Sequence, residues 1–166
     1  MLCHSSLSKN SEGGAKVICV NKKAHHNYHI EDKIEAGLVL EGWEIKSIRS
    51  NQVTIAESYV RPEKGEIFLI GAHMNPPQYT QASNKKVANP TRARKLLLKR
   101  IEIDRLASKV QEKGLTLVPL KIYLKNGRAK LEVGLAKGKS APDKRHSIKE
   151  RDSKREMARA IKQHSN

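Results

Sequence analysis

The chain predicts a small, mainly β domain: about six short antiparallel strands closing into a barrel, with inserted helices and a basic C-terminal tail disordered on its own. Three observations carry that expectation. Apolar and polar residues alternate over short runs broken by Gly, Pro and Asn, the mark of half-buried strands. Only one stretch of any length repeats at helical spacing. The 166 residues carry 33 Lys plus Arg against 17 Asp plus Glu, a net charge of +16, with the excess densest near the C-terminal end.

Residues 1–15 hold one Lys and one Glu among many Ser, Asn and Gly and read as a disordered extension. They lack the apolar stretch of a signal peptide, and Cys3 and Cys19 form no disulfide framework, so a reducing cytoplasm is expected. Val17–Val20 reads as a strand. Tyr28, Ile30, Asp32 and Ile34 fall on alternate positions, a strand open to solvent on one side. Ala36-Gly37 then allows a bulge or sharp bend before Leu38-Val39-Leu40. Trp43, Ile45 and Ile48 fit a strand or one short amphipathic helix, and the helix is preferred.

Val53–Val60 and Glu66–His73 read as two strands around the turn Pro62-Glu63-Lys64-Gly65. Met74–Pro90, with Pro76-Pro77 and Asn84-Lys85-Lys86, reads as a long exposed loop. A helix begins within Thr91–Glu102 and stops before Gly114; Ile103, Leu106, Ala107 and Val110 form its apolar stripe. Val118, Leu120, Ile122 and Leu124 alternate, as do Leu131, Val133 and Leu135. Between them Asn126-Gly127 supplies the two positive φ angles of a type I′ hairpin turn.

The folded part is expected over residues 16–136, with 22 basic and 12 acidic residues. Residues 137–166 hold 10 basic and 4 acidic residues, and their large apolar residues are only Ile148, Met157 and Ile161, too few for a core. Their Lys, Arg, Glu and Ala favour a helix formed on binding. An oligonucleotide-binding (OB) type barrel fits the length, charge and helix placement; other small barrels fit the pattern nearly as well.

The same composition narrows the chemistry. No apolar run reaches the roughly 18–20 residues of a membrane span. Gly134-Leu135-Ala136-Lys137-Gly138-Lys139-Ser140 has three residues between its glycines where a phosphate-binding loop needs four. His25, His26 and His29 lack a completing Cys or acidic ligand, so no metal is expected. No spacing brings a general acid and base together for a nuclease. The basic clusters are the stronger signal: Lys22-Lys23 after Asn21, Lys46 with Arg49, Arg92 and Arg94-Lys95, Lys99-Arg100, and Arg128 with Lys130. Acids do not accompany them in proportion, which points to a polyanion. With only 4% aromatic residues to stack on bases, recognition of RNA shape is expected rather than of an unpaired sequence.

A set of short motifs then becomes recognisable in order: Asn21-Lys22-Lys23-Ala24, Glu35-Ala36-Gly37-Leu38, Gly42-Trp43-Glu44-Ile45-Lys46-Ser47, Pro90-Thr91-Arg92 and Arg94-Lys95-Leu96-Leu97-Leu98. Lys125-Asn126-Gly127-Arg128-Ala129-Lys130, Ala136-Lys137-Gly138-Lys139, Asp143-Lys144-Arg145 and Lys149-Glu150-Arg151 follow. From about Lys16 to Lys162 the chain resembles the SsrA-binding protein (small protein B) family of bacterial trans-translation.

The resemblance implies an OB-type barrel with no enzymatic activity and no cofactor. It implies binding to the tRNA-like domain of transfer-messenger RNA (tmRNA) and delivery, with elongation factor Tu and GTP acting through the RNA, to stalled ribosomes. The tail then becomes helical in the empty mRNA channel near the decoding centre of the small-subunit rRNA. By the same resemblance Asn21, Glu35, Leu97 and Lys130 bind the tRNA-like RNA. Lys22, Lys46, Arg49, Arg92 and Arg94 are added on charge. Lys137, Gly138, Lys139, Asp143, Lys144 and Arg145 would contact the ribosome, and Lys149, Arg151, Lys154, Arg155 and Arg159 would face rRNA phosphates. A monomer is expected.

The chain departs from the family pattern at three places. His25 stands where many relatives are basic, Pro142 where a ring-bearing residue is common, and Ser50-Asn51 where Ala-Gly is usual; Asn tolerates the left-handed turn. The alternative reading is a structural ribosomal or general RNA-chaperone barrel.

Overall fold

A computed structural model describes residues 14–78, 88–140, 148 and 150–159. The elements run β1 (Lys16–Val20), α1 (Lys22–Asn27), β2 (Tyr28–Leu38), α2 (Gly42–Arg49), β3 (Val53–Thr54), β4 (Tyr59–Glu63), β5 (Glu66–Ile70) and β6 (His73–Met74). Then come β7 (Arg94–Leu97), α3 (Arg100–Lys113), β8 (Thr116–Lys125) and β9 (Arg128–Gly138). Strands β8, β4, β5, β7, β2 and β9 pair in that order, and β9 pairs back onto β8, closing an antiparallel ring. β1 pairs with β8 beside the ring, and β3 with β6 forms a separate short ribbon. The expected barrel is therefore present.

Ile48, Ile55, Ile67, Leu69, Leu96, Leu117, Ile122, Leu131 and Val133 fill the interior, each at most 1% exposed. α3 lays Leu106 on this core and stops at Gly114, whose φ of 60° is the left-handed conformation that ends helices. The β8–β9 turn has φ of 51° at Asn126 and 74° at Gly127, as the Asn-Gly pair predicts. Asn51 also takes a left-handed φ, 57°, in the turn after α2.

Several expectations are corrected. The run Val53–Val60 is two strands, because Ile55–Ser58 folds into a turn that the Ser58 hydroxyl closes by donating to the Ile55 carbonyl at 2.7 Å. Glu66–His73 divides likewise at Gly71, whose φ of 77° ends the extended backbone. Arg94–Leu97 forms a strand, so the helix, expected to begin somewhere within Thr91–Glu102, starts at Arg100. α1 carries a single buried residue, Ala24, so no apolar stripe announces it. The irregularity in β2 lies between Ile30 and Asp32, not at Gly37. Within Met74–Pro90, Met74 ends β6, and residues 79–87 fall outside the described residues.

That irregularity has a counterpart between Pro119 and Lys121 of β8. A bulge adds one residue and reverses which face the following side chains occupy. Tyr28 and Ile30 of β2 and Val118 and Leu120 of β8, all at or before the bulges, join Ala24 and Ala136 in a second apolar cluster. Beyond the bulges, Ile34 and Ala36 of β2 and Ile122 and Leu124 of β8 face the main core. The simple alternation expected for Val118 to Leu124 is thus split between two cores.

Candidate nucleic-acid interface

Gly37 is the pivot of one surface. It is in register with Leu97 of β7 on one side and Lys130 of β9 on the other. A side chain at Gly37 would place its Cβ 3.2 Å from the Leu97 Cβ, so the close approach requires glycine or a shift of Leu97. Leu97 stands 56% exposed. A groove of about 410 Å³ opens here, floored by Leu38, Leu40, Ile45 and Leu97 and edged by Arg128 and Lys130.

Glu35 lies two residues back along β2. Its carboxylate accepts a short hydrogen bond from the Tyr123 hydroxyl and stands 3.5 Å from the Lys125 Nζ and 3.7 Å from the Lys130 Nζ. The Tyr123 bond chiefly holds the Glu35 carboxyl below its ordinary pKa; partial burial opposes this, and the two ammonium groups reinforce it. Burial, then the bond and charge of Glu35, push the Tyr123 hydroxyl up. The carboxylate is thus ionised and the phenol neutral across the neutral range. The structure brings Glu35, Leu97 and Lys130 together; sequence reasoning missed Tyr123 and Lys125, although Tyr123 alternates with Ile122 inside the foreseen strand.

Asn21 and Lys22 lie toward the other end of the β8–β9 hairpin. Asn21 is 4% exposed, and its amide nitrogen donates to the Ile55 and Pro119 carbonyls at 3.2 and 3.0 Å. Its side-chain oxygen accepts from the Ala24 N–H at 3.1 Å, capping α1. Every hydrogen of that amide is committed inside the fold, so Asn21 fixes the end of β1 and the start of α1. Lys22 is exposed beside a depression shared with His26, Tyr28 and Tyr59.

The expectation that Arg94 contacts RNA is corrected: its side chain is fully buried. Its guanidinium donates to Glu44 at 2.7 Å and to the Ala72 and Pro90 carbonyls at 2.7 and 3.0 Å. Arg92 joins the same carboxylate at 2.5 and 2.9 Å, leaving its side chain 26% exposed. Burial pushes the Glu44 carboxyl up, but bonds from Arg92, the Glu41 N–H and Arg94 outweigh it and hold the group below its ordinary value. This cluster ties α2 to β7. Lys46 and Arg49 are exposed on α2, whose Gly42 and Ile45 line the groove.

Lys137 and Gly138, expected in the tail, are the last residues of β9, paired with His29 and Tyr28. The Lys139 N–H donates to the Asn27 carbonyl at 2.9 Å. Arg151, Lys154, Arg155 and Arg159 project from a helical stretch, 150–159, that is exposed throughout. Asp143, Lys144, Arg145 and Lys149 lie outside the described residues. Among the described residues no group of three or more His, Cys, Asp or Glu could hold a metal, and no helix is long and apolar enough to cross a membrane.

The fold and site are those of a small closed antiparallel barrel with a glycine-pivoted groove edged by Arg128 and Lys130. The chain belongs to the SmpB protein family, whose pattern matches residues 18–163. It is 52% identical over 152 residues to the SsrA-binding protein of Geobacillus kaustophilus, covering 92% of this chain and 96% of the relative. To the SsrA-binding protein of Ruthia magnifica it is 47% identical, covering 94% and 93%. A solved structure described as "tmRNA-SmpB: a journey to the center of the bacterial ribosome" is 44% identical with a TM-score of 0.60, covering 74% of this chain and 84% of that one.

Proposed function

We propose that this protein is a non-enzymatic adaptor that binds the tRNA-like domain of tmRNA and brings it to stalled ribosomes for trans-translation in the cytoplasm. Elongation factor Tu with GTP joins through the RNA. The observation carrying this reading is the convergence of Glu35, Leu97 and Lys130 around Gly37 in a chain of this family. The groove takes RNA: Lys130, Lys125 and Arg128 meet phosphates, Leu97 offers an apolar contact, and ionised Glu35 accepts hydrogen bonds from base amines or 2′-hydroxyls. Lys22, Lys46, Arg49 and Arg92 add to the field that draws RNA in. Asn21 serves by holding α1 in place.

Residues 16–136 form the RNA-binding unit, preceded by the extension 1–15. The segment 137–166 engages the ribosome, with Lys137, Gly138 and Lys139 at its root. Asp143, Lys144 and Arg145 follow, and Lys149, Arg151, Lys154, Arg155 and Arg159 lie along rRNA in the mRNA channel. Truncation after Ser140 spares β9 and tests this division. Affinity for the tRNA-like RNA should stay within about twofold while tagging of stalled peptides is lost; equal loss of both overturns it.

A further inference from the structure

Glu35 and Glu132 stand directly opposite each other in the β2–β9 pairing. Like charges in cross-strand register repel. Here each carboxylate is flanked by two lysines: Glu35 by Lys125 and Lys130, and Glu132 by Lys121 at 2.9 Å and Lys33 at 3.6 Å. The register arranges these groups in rows across the outer face of the sheet. One row runs Gly37, Lys130, Tyr123, Val17 over β2, β9, β8 and β1; the next runs Glu35, Glu132, Lys121, Val20. The Lys121 Nζ also sits 5.6 Å from the centroid of the Tyr123 ring, which joins the rows.

The result is a grid of four ammonium groups interleaved with two carboxylates. The half at Glu35 belongs to the Gly37 surface; the half at Glu132 has no part in it so far. Lys33 and Lys121 keep side-chain exposures of 54% and 37%. Glu132 is only 19% exposed, so solvent, and with it a phosphate, reaches these pairs from the lysine side. Glu132 meanwhile pairs with both ammonium groups, at 2.9 and 3.6 Å, and so holds them beside one another. Neighbouring strands lie ~4.8 Å apart, so the grid is continuous with the groove rather than a separate patch.

We propose that the RNA surface continues from the Gly37 groove across this face, with Lys33 and Lys121 binding phosphodiester groups of the same RNA and Glu132 holding them in position. The inference rests on the tmRNA reading and deepens it. The test is a Lys33→Gln/Lys121→Gln double variant titrated against a transcript of the tRNA-like domain over a range of KCl concentrations. Affinity should fall about three- to tenfold, and the slope of log K against log salt should drop by about 1 to 2, one contact for each lysine. Lys64→Gln/Lys113→Gln, an equal charge change on exposed residues elsewhere, should leave the slope unchanged.

An unchanged slope in the first variant, or an equal drop in the second, overturns the proposal. A loss seen with isolated small ribosomal subunits but not with the transcript also overturns it, assigning the grid to rRNA. Failure of the first variant to fold is bypassed by amide NMR of the intact protein: the transcript should shift residues 120–123 and 132–134, and their silence counts against the grid. If Glu35→Ala weakens binding while the lysine pair does not, the extension alone falls; if the unaltered protein ignores the transcript, the tmRNA reading falls with it.

Discussion

At the scale of single residues, two carboxylates of one chain do opposite work. Glu35 is half-open to solvent, held ionised by a phenol and two lysines, one of which, Lys130, edges the groove. Tyr123→Phe removes the bond that chiefly lowers its pKa, so the Glu35 carboxyl should titrate at higher pH by carbon-13 NMR. The same variant should weaken RNA binding severalfold, and that penalty should vanish in a Glu35→Ala background. Glu44 is inaccessible and secures α2 to β7 through Arg92 and Arg94.

Glu44→Gln leaves Arg94 buried without its counter-charge and should cost about 3–5 kcal/mol in urea unfolding at pH 7. Because the folded-state pKa of Glu44 is depressed, its contribution is complete above the unfolded value near 4.5 and is lost as pH falls through the lower folded value. The unaltered protein should therefore lose stability below about pH 4.5, and Glu44→Gln should show a shallower acid limb. Charge alone could not tell the two carboxylates apart in the sequence, nor buried Arg94 from exposed Arg49; burial is decided by partners from distant strands.

At the scale of elements, local signals were legible where they are strongest. The Asn126-Gly127 hairpin, the α3 stripe ending at Gly114, and the short helix around Trp43 stand where the sequence places them. Bulges were not legible, since one added residue leaves no compositional trace; it shows only as a change of partner. β7 was hidden because its two leading residues are Arg and Lys, and α1 because its stability comes from the Asn21 cap. A stability prediction belongs here. An added Cβ at Gly134 would meet three Leu120 side-chain atoms at 3.0–3.2 Å, beside the β8 bulge and in a buried position. Gly134→Ala should destabilise by about 1–3 kcal/mol through overpacking, read as a lower urea midpoint at unchanged slope.

At the scale of the whole molecule, the fold divides its charge between a rigid surface and a trailing cationic segment. The candidate surface was partly legible: motif resemblance supplied Glu35, Leu97 and Lys130, whereas their meeting at Gly37 depends on three strands that are remote in sequence. RNA affinity of the intact protein should fall steeply with salt, by roughly tenfold or more from 50 to 200 mM KCl if several phosphates are contacted.

β9 has a wider consequence. Its Lys130 end lies at the groove, its Gly138 end passes directly into the tail, and β2 and β8 grip it along nearly its whole length. Eight residue steps at ~3.3 Å set the two ends roughly 26 Å apart. This strand behaves as a fixed gauge: partners bound at its ends are held at a constant spacing, and lengthening it would first require unzipping both seams of the barrel.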